Sequence, residues 1–537
     1  MELNRHIIYW KLSYFNNKTD TAAISAANEV HNADNILAAF TNTTLAKCNM
    51  ASLTEKQIDE NHLSKYKFLL ISTKDDISHT PSVEDMKIIN TLSQPLLGGL
   101  DDRYDDLIDQ VKAKPVFDSA GKSFDPVKQI STIKRNKDAA LRENGTKVFL
   151  HAFNQHDEVF AATLIDIARE ENALAKLYGY TDAPAEMYDQ HLQLSEASVK
   201  QLLDEFALHA DILQNYQQMQ AQEIKHITGI QQVHSWDMAV PLGYAPEPQD
   251  MATASKNILR ALSPLGDNYV NHFAYLLNPA NGEMDITGGP NRVTEYTGVG
   301  YPGMPSTLYM QGFSGELSSM KTLIHEGGHA IHRQLMSDNH IVPSYSSGPN
   351  FLFESFAIFN SLLLFDELKD QSNTNSAKAY YIKQFTDLLA TELFTSAEEG
   401  TFEQKIYDGV AAGSVNNQDD IDSLYAGVMN KYDLFFKNEP ERHAEWINKR
   451  LMYDDPIYNI NYLYAMLVSC KLYELVHLDP KNFAIHYNAL LRNGFDASAD
   501  DLLKKFMGFG LGRKDLIDGA LHLMQAKIEE LKTLYGK

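Results

Sequence analysis

Lys321-Thr-Leu-Ile-His-Glu-Gly-Gly-His-Ala-Ile-His332 is the stretch on which the reading of this chain turns. It holds His-Glu-x-x-His at positions 325 to 329. On a helix, residues four apart share one face, so the imidazoles of His325 and His329 can reach one metal ion. Glu326 follows the first imidazole directly, placed to touch a metal-bound water without ligating. Zinc lowers the pKa of its water to roughly 7, and a carboxylate can then take the proton. The pattern fixes only three positions and arises by chance in unrelated proteins, so its support must come from the residues around it.

One support lies downstream. A catalytic zinc usually has three protein ligands and one open position. Glu354 stands 25 residues after His329, inside the apolar run Pro349-Asn-Phe-Leu-Phe-Glu-Ser-Phe-Ala. The intervening His340 to Gly348, with Pro343 and three serines, reads as a loop between two antiparallel helices. A lone carboxylate early on the second helix would be costly to bury without a partner, and a metal ion is a suitable one. One Zn2+ held by His325, His329 and Glu354 is therefore expected. The other support is Gly327-Gly328, since each glycine costs about 1 kcal/mol relative to Ala inside a helix. Two explanations stand open: close approach of a substrate or strand, or close helix–helix packing. His332, on roughly the same face, reads as a structural histidine behind the ligands.

Working outward, the segment before the motif differs from the rest of the chain. Asn278 to Gly315 is rich in Gly and Pro and carries β-compatible runs at Arg292 to Tyr296 and Thr307 to Phe313. A small sheet directly before the motif helix is the simplest reading. Elsewhere apolar residues recur at three- and four-residue spacing, as in Leu150 to Leu177, Ser195 to Ile224 and Leu516 to Leu534, which predicts helices. Residues 1–145 form a mixed leading region. There Tyr66 to Ser72 fits either a strand or a short helix, and Lys112 to Asp125 fits a strand–turn–strand. Continuous helical patterning occupies 146–537.

The chain has 537 residues, 71 acidic against 47 basic, for a formal charge of −24. That field disfavours nucleic-acid and anionic-membrane partners. Only Cys48 and Cys470 are present, too few for a disulfide framework. The start from Met1 to Tyr14 has no apolar run of signal-peptide length, and no stretch is long enough to span a membrane. A cytoplasmic protein is expected.

The motifs together resemble the thimet oligopeptidase and oligoendopeptidase F family of zinc metallopeptidases, the oligoendopeptidase F branch above all. His325 to His332 looks like the family's zinc helix, with Glu354 at the family's spacing for the third ligand. Leu177-Tyr-Gly-Tyr, Trp236-Asp237, Met284-Asp-Ile-Thr-Gly-Gly and the Trp446 to Tyr462 segment are similar to further family segments. The match covers about residues 145 to 537.

The resemblance implies a mainly α, two-lobed protein with a deep substrate channel and a small β-sheet beside the zinc helix. It implies a zinc-dependent endopeptidase hydrolysing short unfolded oligopeptides inside that channel. Ser306 to Phe313 would be an edge strand binding substrate backbone by β-augmentation, through Leu308, Met310 and Gly312. The family also uses a histidine and tyrosines from the later segment to hold the oxyanion. Here this chain departs. Leu451 occupies the histidine position and Asn459 one tyrosine position, leaving Tyr462 as the expected oxyanion donor with Tyr458 beside it as a substrate contact. His443 is a weaker substitute. Losing one oxyanion donor typically costs about 2.7 to 4 kcal/mol. A second reading follows from that loss: a catalytically weakened member that keeps zinc and binds peptides or a protein partner. An exopeptidase is a third.

Overall fold

The structure, a computed structural model, describes residues 2–47, 53–77 and 79–536. It is mainly helical, with two small sheets. Cys48 lies outside the described residues; Cys470 is free and buried. Among the described residues no helix is long and apolar enough to cross a membrane.

The chain forms two compact units, each assembled from three separate stretches. The first comprises Met1–Thr80, Pro246–Asn373 and Tyr464–Ala520, and the second Pro81–Ala245, Thr374–Leu463 and Leu521–Lys537.

In the first unit, the motif sits on a 22-residue helix, Leu317–Asp338. It packs on the helix Asn350–Asp370, which carries Glu354 in its second turn. That second helix is apolar on nearly every face, and 15 of its 21 residues are buried, as expected of a helix surrounded by protein. Pro349 precedes it and Pro343 opens a short 3₁₀ turn in the loop between the two. Tyr66 to Ser72 falls on a 3₁₀ turn running into the helix Lys67–Ile77, so the helical alternative holds there.

Three strands lie beside the motif helix: β3 (Met284–Asp285), β4 (Tyr296–Val299) and β5 (Thr307–Met310). Their order is β3-β5-β4, with β3 parallel and β4 antiparallel to β5. Two expectations are corrected here. Arg292 to Val293 is not strand; pairing begins only at Tyr296. Ser306 to Phe313 is not an edge, because β5 is the central strand. Leu308 N–H donates to Glu283 O, the opposite side pairs with β4, and Leu308 and Met310 are fully buried. Arg292 closes this corner by binding the Asp285 carboxylate at 2.9 and 3.2 Å and donating to Met310 O.

In the second unit, β1 (Val116–Phe117) and β2 (Ser123–Phe124) form the anticipated strand–turn–strand. The pattern from Leu150 to Leu177 is broken at Gln155-His156, where the Ala139–Asn154 helix ends and Asp157–Leu177 begins. The stretch Ser195 to Ile224 likewise divides at His209. Periodicity alone does not register these breaks, because the apolar spacing resumes almost in phase. Trp236-Asp237 has a structural role: Asp237 Oδ1 takes Nε and Nη2 of the buried Arg142, both at 2.8 Å, and Trp236 stacks on His234. The last helix, Arg513–Leu534, covers the anticipated Leu516 to Leu534.

Candidate active site

His325 and His329 leave one face of the motif helix, with ring centroids 5.0 Å apart and planes nearly perpendicular. The Glu354 carboxylate lies between them: Oε2 is 3.3 Å from His325 Nε2, and Oε1 is 3.6 Å from His329 Nε2. One donor atom from each residue lies within 4.8 Å of the other two. Two imidazole nitrogens and a carboxylate oxygen converging at this spacing suit a zinc ion with an open fourth position. The residues present therefore fit the metal that the sequence implies.

Electrostatics point the same way. Burial pulls His329 down to about 4, only partly opposed by Glu354, so its ring stays neutral, the form that ligates. Burial also works against a charged His325, but the Glu354 hydrogen bond and charge overcome it and raise its pKa. Glu354 is desolvated too, yet the two histidines hold it below the ordinary carboxylate value. The carboxylate thus draws positive charge to the point where the three side chains meet.

Glu326 points to the β4 side of the helix. Burial raises its pKa, opposed first by the charge of His325 and more weakly by the nearby Gly298 backbone amide. β4 comes unusually close: a Cβ built on Gly298 would stand 2.4 Å from Glu326 O and 3.0 Å from His329 Cβ. Only glycine fits there.

Gly327 and Gly328 are explained by helix packing rather than by an approaching substrate. A Cβ on Gly327 would meet the Phe273 ring at 2.3 Å, and one on Gly328 would meet Asn360 Nδ2 at 2.7 Å and Ala357 Cα at 3.3 Å. His332 is buried among Phe353, Phe356 and Phe495 and its pKa is driven well down by that burial, so it is structural. Two contributors escaped the sequence reading. Gly298 was one of many glycines in its segment. Asn360, fully buried, donates to Tyr269 Oη at 2.8 Å against the motif helix; its signal was an amide within an apolar run.

The later segment lies in the second unit. Leu451 opens the short helix Leu451–Asp454. Tyr458 and Tyr462 meet edge to face at 5.5 Å, where the helix Asn459–Leu478 starts, and Asn459 is buried there. Just before them Ile457 adopts φ +62°, costly for a β-branched residue, and its N–H is held at 2.8 Å by the buried Glu403. His443 faces Asp157 and Asp422.

Known proteins bear on this arrangement. Residues 296–518 match the model of Peptidase family M3. An oligoendopeptidase F homolog of Lactococcus lactis subsp. lactis is 23% identical over 408 residues. That alignment takes in 76% of this chain and 66% of the relative, so the chain spans just under two thirds of the relative's length. Among solved structures, a Chlamydophila abortus protein described provisionally as a peptidase superposes with a TM-score of 0.85 at 20% identity, covering 99% of this chain and 88% of that one. Oligoendopeptidase-F from Enterococcus faecium gives 0.73 at 17% identity, covering 100% and 91%. The fold is thus the helical fold of the M3-type oligopeptidases. The resemblance to the oligoendopeptidase F group read from the motifs is met by curated relatives in sequence and by solved structures in fold.

Proposed function

We propose that this chain is a zinc-dependent endopeptidase acting on short, unfolded oligopeptides. The observation that carries the reading is the convergence of His325 Nε2, His329 Nε2 and the Glu354 carboxylate, with Glu326 next to them where β4 packs closely on the helix. His325, His329 and Glu354 would hold the ion. Zinc bound there supplies a Lewis acid for the scissile carbonyl and acidifies a water molecule. Glu326 accepts the proton of that water and delivers it to the leaving amine; its raised pKa suits it to both halves of the transfer. Substrate backbone pairs at β4, the edge strand beside Glu326, rather than at β5. Tyr462 donates its phenol to the developing oxyanion, and Tyr458 contacts substrate.

Leu451 and Asn459 favour a second reading, a catalytically weakened member that retains zinc and binds peptides or a protein partner. One experiment separates the two. Zinc content and hydrolysis of a quenched-fluorescence peptide library are measured before chelation, after it, and after zinc is restored. Cleavage that is lost and regained with the metal supports the peptidase. Metal that comes and goes with no cleavage at any stage supports the binding protein.

A further inference from the structure

A second convergence of ligating groups lies wholly within the second unit. Asp157 is the first residue of the helix Asp157–Leu177, Asp422 stands on the helix Gln418–Tyr432, and His443 follows a 3₁₀ turn at Pro440–Arg442. His443 Nε2 lies 3.7 Å from Asp157 Oδ2 and 3.9 Å from Asp422 Oδ2. All three ligand atoms fall within 4.8 Å of one another.

Each residue is held from behind by its other polar atom. His443 Nδ1 is 3.1 Å from the carbonyl of Pro440. A carbonyl can only accept, so Nδ1 donates there, and Nε2 is the nitrogen turned toward the carboxylates. Asn154 Nδ2, at 3.5 Å from Nδ1, makes its closer bond to Glu441 O at 2.9 Å. Asp157 Oδ1 accepts the Glu158 N–H at 2.8 Å. Asp422 Oδ1 accepts the indole N–H of Trp446 at 2.7 Å. The Gln418 amide donates to Asp422 Oδ2, which keeps a lone pair for the shared point. Backbone or side-chain bonds that fix the far atom of every ligand are the usual support of a metal site.

Nε2 and the two carboxylate oxygens converge on one point that a single cation could share. The separations are too long for a proton on Nε2 to hydrogen-bond either oxygen. They are close to the ~3.4 Å between donors on one ion with bonds of about 2.1 Å, and the partly exposed His443 can close the remainder. The 3.3 and 3.6 Å separations at His325, His329 and Glu354 are of the same order.

We propose that Asp157, Asp422 and His443 form a second, structural binding site for a divalent transition-metal cation of the zinc or manganese kind. One imidazole and two carboxylates suit these ions. The ion ties the start of one helix, the body of another and the turn before Trp446, leaving water in its other positions. His443 is thereby accounted for without a role at the oxyanion.

The test uses the full chain, stripped with chelator and titrated with Zn2+, and separately with Mn2+, with bound metal counted by mass spectrometry. Wild type is expected to take up two equivalents of zinc. His443→Ala and Asp422→Asn should each take up one, as should His325→Ala/His329→Ala. In that last background, added Mn2+ or Zn2+ should raise the melting temperature, and His443→Ala should remove the rise. Asp422→Asn weakens the Trp446 bond; if it does not fold, Asp157→Asn carries the same expectation. Zinc uptake by His443→Ala equal to that of wild type overturns the proposal. So does a His325→Ala/His329→Ala protein that binds neither metal while keeping the wild-type circular dichroism spectrum. Because that background lacks the first metal site, the outcome is independent of the peptidase reading.

Discussion

A Cβ placed on Gly298 would stand 2.4 Å from the carbonyl oxygen of Glu326, so strand and motif helix meet with no room for a side chain. The backbone of the same glycine lies near the Glu326 carboxylate. Gly298→Ala must push β4 away from Glu326. Displacements of about 1 Å near the reacting groups can cost roughly 10² in rate. Peptide-hydrolysis kinetics of Gly298→Ala should show a loss of that order in kcat/KM, with metal content unchanged. A variant as active as wild type would mean that β4 does not position Glu326.

The packing explanation for Gly327 makes a separate claim about stability. A methyl group there runs into the Phe273 ring at 2.3 Å. Overpacking of this kind typically costs about 1 to 3 kcal/mol. Thermal or denaturant unfolding should find Gly327→Ala destabilised, and Gly327→Ala/Phe273→Leu more stable than the sum of its two single changes. Strict additivity would place the clash elsewhere.

Buried Glu403 gives a pH dependence of known sign. Desolvation raises its pKa from the ordinary 4.5 to about 8 in the folded chain. Between those values the folded state binds more protons than the unfolded one. This group's contribution is therefore full below about pH 4.5 and is lost as the pH rises toward about 8. Glu403→Gln keeps an acceptor for the Ile457 N–H without a charge to desolvate. Its melting temperature should fall less than that of wild type between about pH 5 and about pH 8. Parallel melting curves for the two proteins would contradict this.

Leu451 stands where the resemblance places a histidine. If that segment holds the oxyanion, Leu451→His adds a donor, and one such donor is typically worth roughly 10² to 10³ in kcat. Turnover of generic peptides by Leu451→His should rise above wild type. Unchanged or lower turnover would show that the segment acts otherwise.

What the sequence made legible follows from the range of the interactions. His325, Glu326 and His329 share one helix, so their geometry is fixed by a four-residue period. Glu354 lies one loop away and shows as a carboxylate in an apolar run. The order of the small sheet did not show, because Met284 pairs with Leu308 and β4 closes the far side; a four-residue run of β-formers reads the same at an edge or in the middle. Gly327-Gly328 signalled close packing but not its partner, since Phe273, Ala357 and Asn360 come from other helices. The two compact units are each stitched from three stretches, and no local composition marks such joins. His443 draws its neighbours from positions 157 and 422, a convergence that spacing along the chain does not reveal.

The central claim is that Glu326 is the base of a metal-dependent peptidase. Its most direct test is hydrolysis of a quenched peptide library by wild type and Glu326→Ala, with zinc measured on both. Zinc retained in both proteins, with cleavage by Glu326→Ala reduced by roughly 10² to 10⁴, is the predicted result. Equal cleavage by the two proteins with zinc bound would contradict it.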